Sequence, residues 1–445
     1  MMALGLGTGS SRRVNRLGEP SMEPIHALSS GLPPSGVAVI RLSGDGAFDA
    51  ARCLIAGGRL PAPRRASLRK LVRPSDGRLL DEALVLIFPG PGSFTGEDSV
   101  EFHCHGSIAV VAAVQEALGD LGVRAAEPGE FTRRAFESGR LDLTQAEALS
   151  DLIAAETETQ RDQALAQAGG RLRSLAERWR AELVGIAAEL EAGLDFSDEA
   201  DVADSLEASG RSRLALERLG ADVAAALATA PVAERVRNGL TIAITGPPNA
   251  GKSSLLNALV GREAAIVTPV PGTTRDVIEV HMDVGGRAVV LLDTAGLRDT
   301  DDPVEAEGIA RARARAVTAD LVLDLGPGGN IVNRIDELGH DAGLHDGRLF
   351  ISARTGAGLD SLEQWLAAWA VRQIPSGEPS VVTSARQREL LESTLAALRR
   401  AAAITDPVLV AEEVRSGAVA LGRLTGQISP EEILGAIFSR FCIGK

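Results

Sequence analysis

Lys252 is one of only three lysines in a chain of 445 residues, and it stands in Gly246-Pro247-Pro248-Asn249-Ala250-Gly251-Lys252-Ser253. That string is GxxxxGK[ST], in which backbone N–H groups from Asn249 through Ser254 can converge on phosphate oxygens. Lys252 can neutralise β/γ-phosphate charge, and the Ser253 hydroxyl can ligate Mg²⁺. Gly272-Thr273-Thr274-Arg275-Asp276 follows some twenty residues on, where Thr274 can reach the magnesium and the γ-phosphate. Asp293-Thr294-Ala295-Gly296 is a DxxG turn, whose Asp holds magnesium through water and whose Gly N–H senses the γ-phosphate. The next residue is Leu297, not a glutamine able to orient water. Asn333-Arg334-Ile335-Asp336 offers a carboxylate to the N1–H and exocyclic amine of guanine, and Ser352-Ala353-Arg354 offers a backbone N–H to the base oxygen. The chemistry expected is binding and hydrolysis of a guanine nucleoside triphosphate.

The elements that must hold these residues are legible in the apolar pattern. Residues 240–245 (LTIAIT) read as a buried strand and 254–259 as a helix, so the glycine loop lies between strand and helix. Residues 288–292 form a strand that delivers Asp293, and 348–351 one that precedes Ser352. Only residues 326–330 separate the strand 321–325 from the region of Asn333, too few for a crossover helix, so this sheet edge must be reduced or irregular. Residues 239–373 are therefore expected to form a P-loop α/β domain with a parallel doubly wound sheet. Leu172, Leu175, Trp179, Leu183, Ile186 and Leu190 recur at helical spacing, and a second helical stretch covers 204–229 until Pro231 breaks it. After Pro375 come helices over 387–403 and 408–424, and a last one opened by the capping box Ser429-Pro430-Glu431-Glu432. Helical segments 140–238 and 374–445 flank the α/β segment, so the latter is expected to be inserted into a helical domain. Residues 22–139 alternate strands (37–42, 83–88, 99–103) with helices such as 108–118 and read as an α+β domain. Residues 1–21 read as a disordered extension.

Composition narrows the partners. Net charge is −14 with a pI near 5.1, so any contact with RNA must be local. There is no tyrosine and only 3% aromatic residue, which argues against a base-stacking platform. No apolar run reaches the ~18 residues that a membrane span needs. Cys53, Cys104 and Cys442 are widely spaced with no CxxC, as expected of a reducing, cytoplasmic setting. His103-Cys104-His105 could suggest a metal site, but Val100, Phe102 and Cys104 alternate with Glu101, His103 and His105 as a half-buried strand does. The last four residues match a prenylation box poorly.

From Glu23 to Lys445 the chain resembles the MnmE (TrmE) family of tRNA-modification GTPases. Besides the nucleotide motifs, the resemblance rests on Ala38-Val39-Ile40-Arg41-Leu42-Ser43-Gly44, Ser93-Phe94-Thr95-Gly96-Glu97-Asp98, Glu127-Pro128-Gly129-Glu130-Phe131-Thr132, Leu141-Asp142-Leu143-Thr144-Gln145-Ala146-Glu147-Ala148 and Ile437-Phe438-Ser439-Arg440-Phe441-Cys442-Ile443-Gly444-Lys445. It implies a Ras-like G domain and an N-terminal domain that dimerises and binds a 5-formyl- or methylene-tetrahydrofolate through Arg41, Glu101, Arg140 and Lys445. Arg140 stands where the family has lysine, and Arg334 likewise. The resemblance further implies K⁺ held by Asn249, Thr268, Val270 and Thr273, with Thr268 and Thr273 also at the nucleotide. Glu305 is implied as the group that orients water, beside Lys252 and Thr274 in catalysis. An FAD-containing partner, MnmG, is implied in a joint assembly that installs a (carboxymethyl)aminomethyl group at C5 of the tRNA wobble uridine. The competing expectation is a degenerate G domain that scaffolds nucleotide, folate and MnmG. Cys442 matches the family's cysteine and is expected either to take part in catalysis or to be a buried thiol.

Overall fold

The structure is a computed structural model that describes residues 23–195, 202–261, 265–266, 279–293, 318–375, 377, 380–428, 431–439, 441–442 and 444. The expected extension over 1–21 and the capping residues Ser429 and Pro430 lie outside them. Contacts divide the chain into two compact units, one running to Glu147 and resuming at Ile428, the other spanning Ala148–Gln427.

The first unit is α+β. Its elements are β1 (Ile25–Leu28), β2 (Ser35–Ser43), α1 (Ala47–Leu54), β3 (Ser67–Val72), β4 (Leu79–Phe88), β5 (Ser99–Gly106), α2 (Ile108–Asp120), β6 (Arg124–Ala125) and α3 (Glu130–Glu137). The sheet order is β3-β4-β5-β2-β1-β6, antiparallel except where β6 joins β1. Period-two alternation gives each strand two different faces. Ile40, Leu42, Val100, Phe102 and Cys104 are buried in one core with Val111, Val114 and Leu118 of α2. The opposite face carries Arg41 paired with Glu101, and Ser43 paired with Ser99, across neighbouring strands. Ser107 caps α2, its hydroxyl accepting the Val110 N–H at 3.1 Å.

The second unit opens with α4 (Leu143–Ala154, which begins in the first unit), α5 (Glu158–Ala168), α6 (Arg171–Asp195), α7 (Val202–Ala228) and α8 (Ala230–Asn238). The stretch breaks just ahead of Pro231, α7 ending at Ala228, and Pro231 falls in the first turn of the next helix, α8, where its missing N–H would have no helical partner anyway. An α/β layer follows, with β7 (Leu240–Thr245), α9 (Lys252–Val260), β8 (Ala265–Ile266), β9 (Glu279–Val284), β10 (Arg287–Asp293), β11 (Leu321–Asp324), β12 (Ile331–Val332), α10 (Ile335–Leu338), β13 (Gly343–His345), β14 (Arg348–Phe350) and α11 (Leu359–Gln373). Then come α12 (Ala385–Ala403) and α13 (Pro407–Thr425). Trp179, Leu183 and Ile186 of α6, Leu216, Leu219 and Val223 of α7, Leu391 and Leu398 of α12, and Val414 and Leu421 of α13 share one core, so helices from both sides of the α/β segment pack together.

The main sheet of that layer has the order β11-β7-β10-β9-β8 among the described residues. It is mixed and not uniformly parallel as expected: β10 and β11 run parallel to β7, whereas β9 and β8 are antiparallel. The turn at Gly285 and Gly286 joins β9 to β10 too tightly for a crossover, so the pair is a hairpin. At the other edge, β12, β14 and β13 form a separate small sheet. Asn330 takes the place of a missing neighbour there. Its side chain accepts the Asp324 N–H and donates to the Val322 carbonyl, both at 2.8 Å.

The final helix is α14 (Glu431–Phe438), and by its contacts the chain from Ile428 onward packs with the first unit. Phe438 lies 6.1 Å from Phe136 between ring centres, and the Ser29 hydroxyl donates to the Gly444 carbonyl at 2.8 Å.

Candidate functional site

The glycine loop begins where β7 ends, at the carboxyl edge shared by β7, β10 and β11, which is where open α/β sheets bind ligands. Its path needs unusual backbone. Gly246 has φ +140°, Asn249 +64° and Gly251 +91°. Gly251 caps α9, and a Cβ there would lie 2.3 Å from the Asn333 amide nitrogen, so no other residue fits without moving that side chain. The first turn of α9 presents Lys252, Ser253 and Ser254, the two serines exposed. N–H groups of such a turn have no partner within the helix and favour an anion. Lys252 Nζ lies across the loop, donating to the carbonyls of Gly246 at 2.9 Å and Pro247 at 3.1 Å.

Asn333, at the end of β12, is the tie that holds the site together. Its amide donates to the Ala250 carbonyl at 3.1 Å and accepts the Ala353 N–H at 3.0 Å, so one side chain joins the phosphate loop to the loop after β14. Arg334 takes a left-handed φ of +66° and donates to the Asn249 carbonyl at 2.7 Å. Asp336 therefore projects from the first turn of α10, beside the fully buried Ser352. Hydrogen bonds from the Ser352 hydroxyl and the Arg354 guanidinium keep its carboxyl below the usual range.

The structure thus brings Asn249, Ala250, Gly251, Lys252, Ser253, Asn333, Asp336, Ser352 and Ala353 into one region. Asp293 closes β10 opposite Ile244 of β7. Thr268, Val270, Thr273, Thr274, Thr294, Ala295, Gly296, Leu297 and Glu305 lie outside the described residues. Sequence reasoning missed Asn330 and the Arg354–Asp336 pair. An asparagine at the end of Gly-Pro-Gly-Gly was the available signal for the first; nothing in the sequence marked the second.

In the first unit, Arg41 and Glu101 are cross-strand partners. Arg41 Nε and Nη2 reach Glu101 Oε1 at 3.1 and 3.0 Å, and the guanidinium sits 5.7 Å from the Phe94 ring centre and 5.8 Å from that of Phe131. Arg140 is exposed, its N–H bonded to the Ala135 carbonyl at 2.8 Å. Lys445 is outside the described residues, but Gly444 is held against Leu28 and Ser29, next to the Ala27–Arg41 pair of β1 and β2.

On the same face lies a buried ionic cluster that the sequence did not announce. Arg134, 5% exposed at its side chain, bonds Glu97 at 3.3 Å and Glu130 at 2.8 Å, and Ser43 Oγ donates to Glu97 at 2.7 Å. Burial pushes the Glu97 carboxyl up despite Arg134. Burial opposes ionisation of Glu130 as well, but hydrogen bonds from Arg124, the Glu127 N–H and Arg134 outweigh it and hold the group at about 2.

His103 faces Glu101 at 3.2 Å and His105 faces Asp81 at 2.7 Å, while Cys104 points into the core, where burial pushes its thiol up to about 12. Among the described residues no three potential metal ligands cluster. Cys442 is exposed, contrary to the buried-thiol expectation. No described helix is long and apolar enough to cross a membrane.

A strand, a glycine loop capped by lysine and a base-side loop tied to it by one asparagine define a P-loop nucleotide-binding protein, here joined to a helical bundle. Comparison with known families makes this specific. The model described as "MnmE helical domain" matches residues 143–442 and that described as "GTP-binding protein TrmE N-terminus" matches 24–140. The chain is 52% identical over 441 residues to the tRNA modification GTPase MnmE of Methylobacterium sp. (strain 4-46), covering 95% of this chain and all of that one. It is 47% identical over 463 residues to that of Rhodopseudomonas palustris (strain BisB5), with 96% and 100% covered, and 50% identical over 440 residues to that of Rhizorhabdus wittichii, with 97% and 98% covered. The chain belongs to the MnmE family of tRNA modification GTPases. It is accordingly a GTP hydrolase that serves tRNA modification.

Proposed function

We propose that GTP turnover by this chain drives addition of a (carboxymethyl)aminomethyl group to C5 of the tRNA wobble uridine, in the cytoplasm and together with the FAD protein MnmG. The Asn333 bridge carries the reading, because one side chain makes the phosphate loop and the base loop a single site. In this reading Lys252 offsets β/γ charge, Asp336 accepts from the guanine edge, and the Ala353 loop receives the base oxygen. Ser253, exposed in the first turn of α9, fits a magnesium ligand, with Thr274 as the second. Mg²⁺ bound there supplies charge neutralisation to the phosphates. Potassium would be held by Asn249, whose left-handed backbone turns the loop, with Thr268, Val270 and Thr273; Glu305 would position water.

In the same reading, the G domain is an insertion in the helical domain, which the shared helical core supports. The first unit pairs with a second copy of the chain and binds a tetrahydrofolate carrier on the strand face bearing Arg41 and Glu101, with Arg140 and Lys445 completing the site. The half-buried guanidinium–carboxylate pair beside two phenylalanines suits a flat ligand with polar edges. Mass spectrometry of wobble uridines from a strain lacking the gene tests the reading: loss of the modified base is expected, and an unchanged uridine profile would overturn it. GTP turnover faster in KCl than in NaCl is expected; equal rates remove the potassium assignment.

A further inference from the structure

Arg354 occupies an informative position. It follows the Ser352-Ala353 pair of the base loop, it is 72% exposed at its side chain, and its Nη2 nevertheless turns back to bond Oδ2 of Asp336, which is 16% exposed. Asp336 also takes a hydrogen bond from Ser352, so its environment favours the anion on two sides. A guanidinium is a rigid plane whose N–H groups form a fork matched to a carboxylate. The N1–H and exocyclic amine of guanine make a similar two-donor fork, so both compete for the same oxygens.

We propose that Arg354 is an internal surrogate for the guanine edge, competing with the base for the Asp336 carboxylate to which it is paired. This rests on the reading that Asp336 recognises guanine. Three features of the described geometry support it. Ser352 and the Asn333 bridge fix the walls of the base site, so exchange at Asp336 requires movement of one exposed side chain only. Arg354 has its long stem largely in solvent, which makes that movement cheap. Arg334, the other arginine of this corner, is committed to the Asn249 carbonyl and not to Asp336. Arg354 thus sets how readily guanine nucleotide gains the Asp336 carboxylate, without entering the hydrolytic step.

The test uses the full-length chain, a fluorescent N-methylanthraniloyl-GDP, and both equilibrium titration and stopped flow. Losing a competitor should make Arg354→Ala bind about two- to fivefold more tightly at low salt, the range an exposed ion pair supports. The gain should disappear in about 0.5 M NaCl, where screening shortens to a few ångströms. Simple loss of a cation near an anionic ligand predicts the opposite sign. Binding that is unchanged or weaker than wild type at low salt would overturn the proposal. A double-mutant cycle adds a readout that a merely structural arginine would not move: the gain must vanish in an Asp336→Asn background, and its persistence there would also overturn it. The underlying reading is tested separately by Asp336→Asn with xanthosine and guanosine diphosphates. A switch of preference to xanthine upholds base recognition by Asp336, and its failure removes that reading whatever Arg354→Ala does.

Discussion

Asn333 ties the phosphate loop to the base loop through two hydrogen bonds from one side chain. Asn333→Ala removes two hydrogen bonds in a partly buried setting, at ~1 kcal/mol each, so guanine-nucleotide affinity should fall by about 30-fold in calorimetry. An unchanged dissociation constant would show that the two loops hold their places unaided. Gly251→Ala strikes the same joint from the other side. It places a Cβ in left-handed backbone, at a cost of ~1–2 kcal/mol, and against the Asn333 amide. More than tenfold weaker binding is expected, with the thermal transition of the first unit unmoved; affinity equal to wild type would refute the geometry. These two positions also show what was readable in the chain. Gly251 was legible because a phosphate loop needs left-handed backbone next to a helix N-terminus, a local requirement. The partners of Asn333, and the use of Asn330 to satisfy a bare strand edge, were not, since residues 6 to 83 positions apart meet only after folding.

Helix α3 begins with a carboxyl held well below its ordinary range. Glu130 begins the helix, bonds Arg134 one turn on and takes Arg124 from β6, and these contacts hold its pKa at about 2 against an ordinary 4.5. A depressed carboxyl adds stability that is complete above the unfolded value and is lost as pH falls from about 4.5 toward 2. The contribution is on the order of 2–3 kcal/mol. Glu97 acts with the opposite sign: its raised pKa makes ionisation unfavourable to the folded state, so its penalty eases on acidification. Glu130→Gln should therefore flatten the acid limb of a stability–pH profile measured by denaturant unfolding, between about pH 4.5 and 2. An identical limb in the variant would place the sensitivity elsewhere. Elements such as α6, α12 and α13 were plain in the sequence because Leu and Trp recur at helical spacing over many turns. The two-residue strands β6, β8 and β12 were not, because pairing and not periodicity defines them. The mixed character of the main sheet was hidden for a related reason: β9 and β10 read as strands whichever way they run, and only the tight turn between them sets the direction.

At the scale of the whole molecule, the chain leaves its first unit at Glu147 and returns to it at Ile428, so that unit is finished only when the last residues dock. Leu434, Phe438 and Phe441 are buried there, and the Gly444 carbonyl accepts Ser29 Oγ at the edge of the sheet that carries Arg41. Burying three such side chains stabilises by roughly 5 kcal/mol as an upper estimate. Deletion of residues 428–445 should thus lower the calorimetric transition of the first unit by on the order of 10 °C and leave that of the helical and nucleotide-binding unit in place. A point change separates docking from chain length. Gly129 has φ +71° and caps α3, and a Cβ on it would sit 2.2 Å from the Phe438 carbonyl oxygen. Gly129→Ala should evict α14 while keeping every residue of it, reproducing most of the deletion's shift and exposing Phe438 to limited proteolysis. If the deletion lowers the first transition and Gly129→Ala does not, the segment is held by Ser29 and the Phe441 end alone; if neither does, the tail adds nothing to the unit on which it rests.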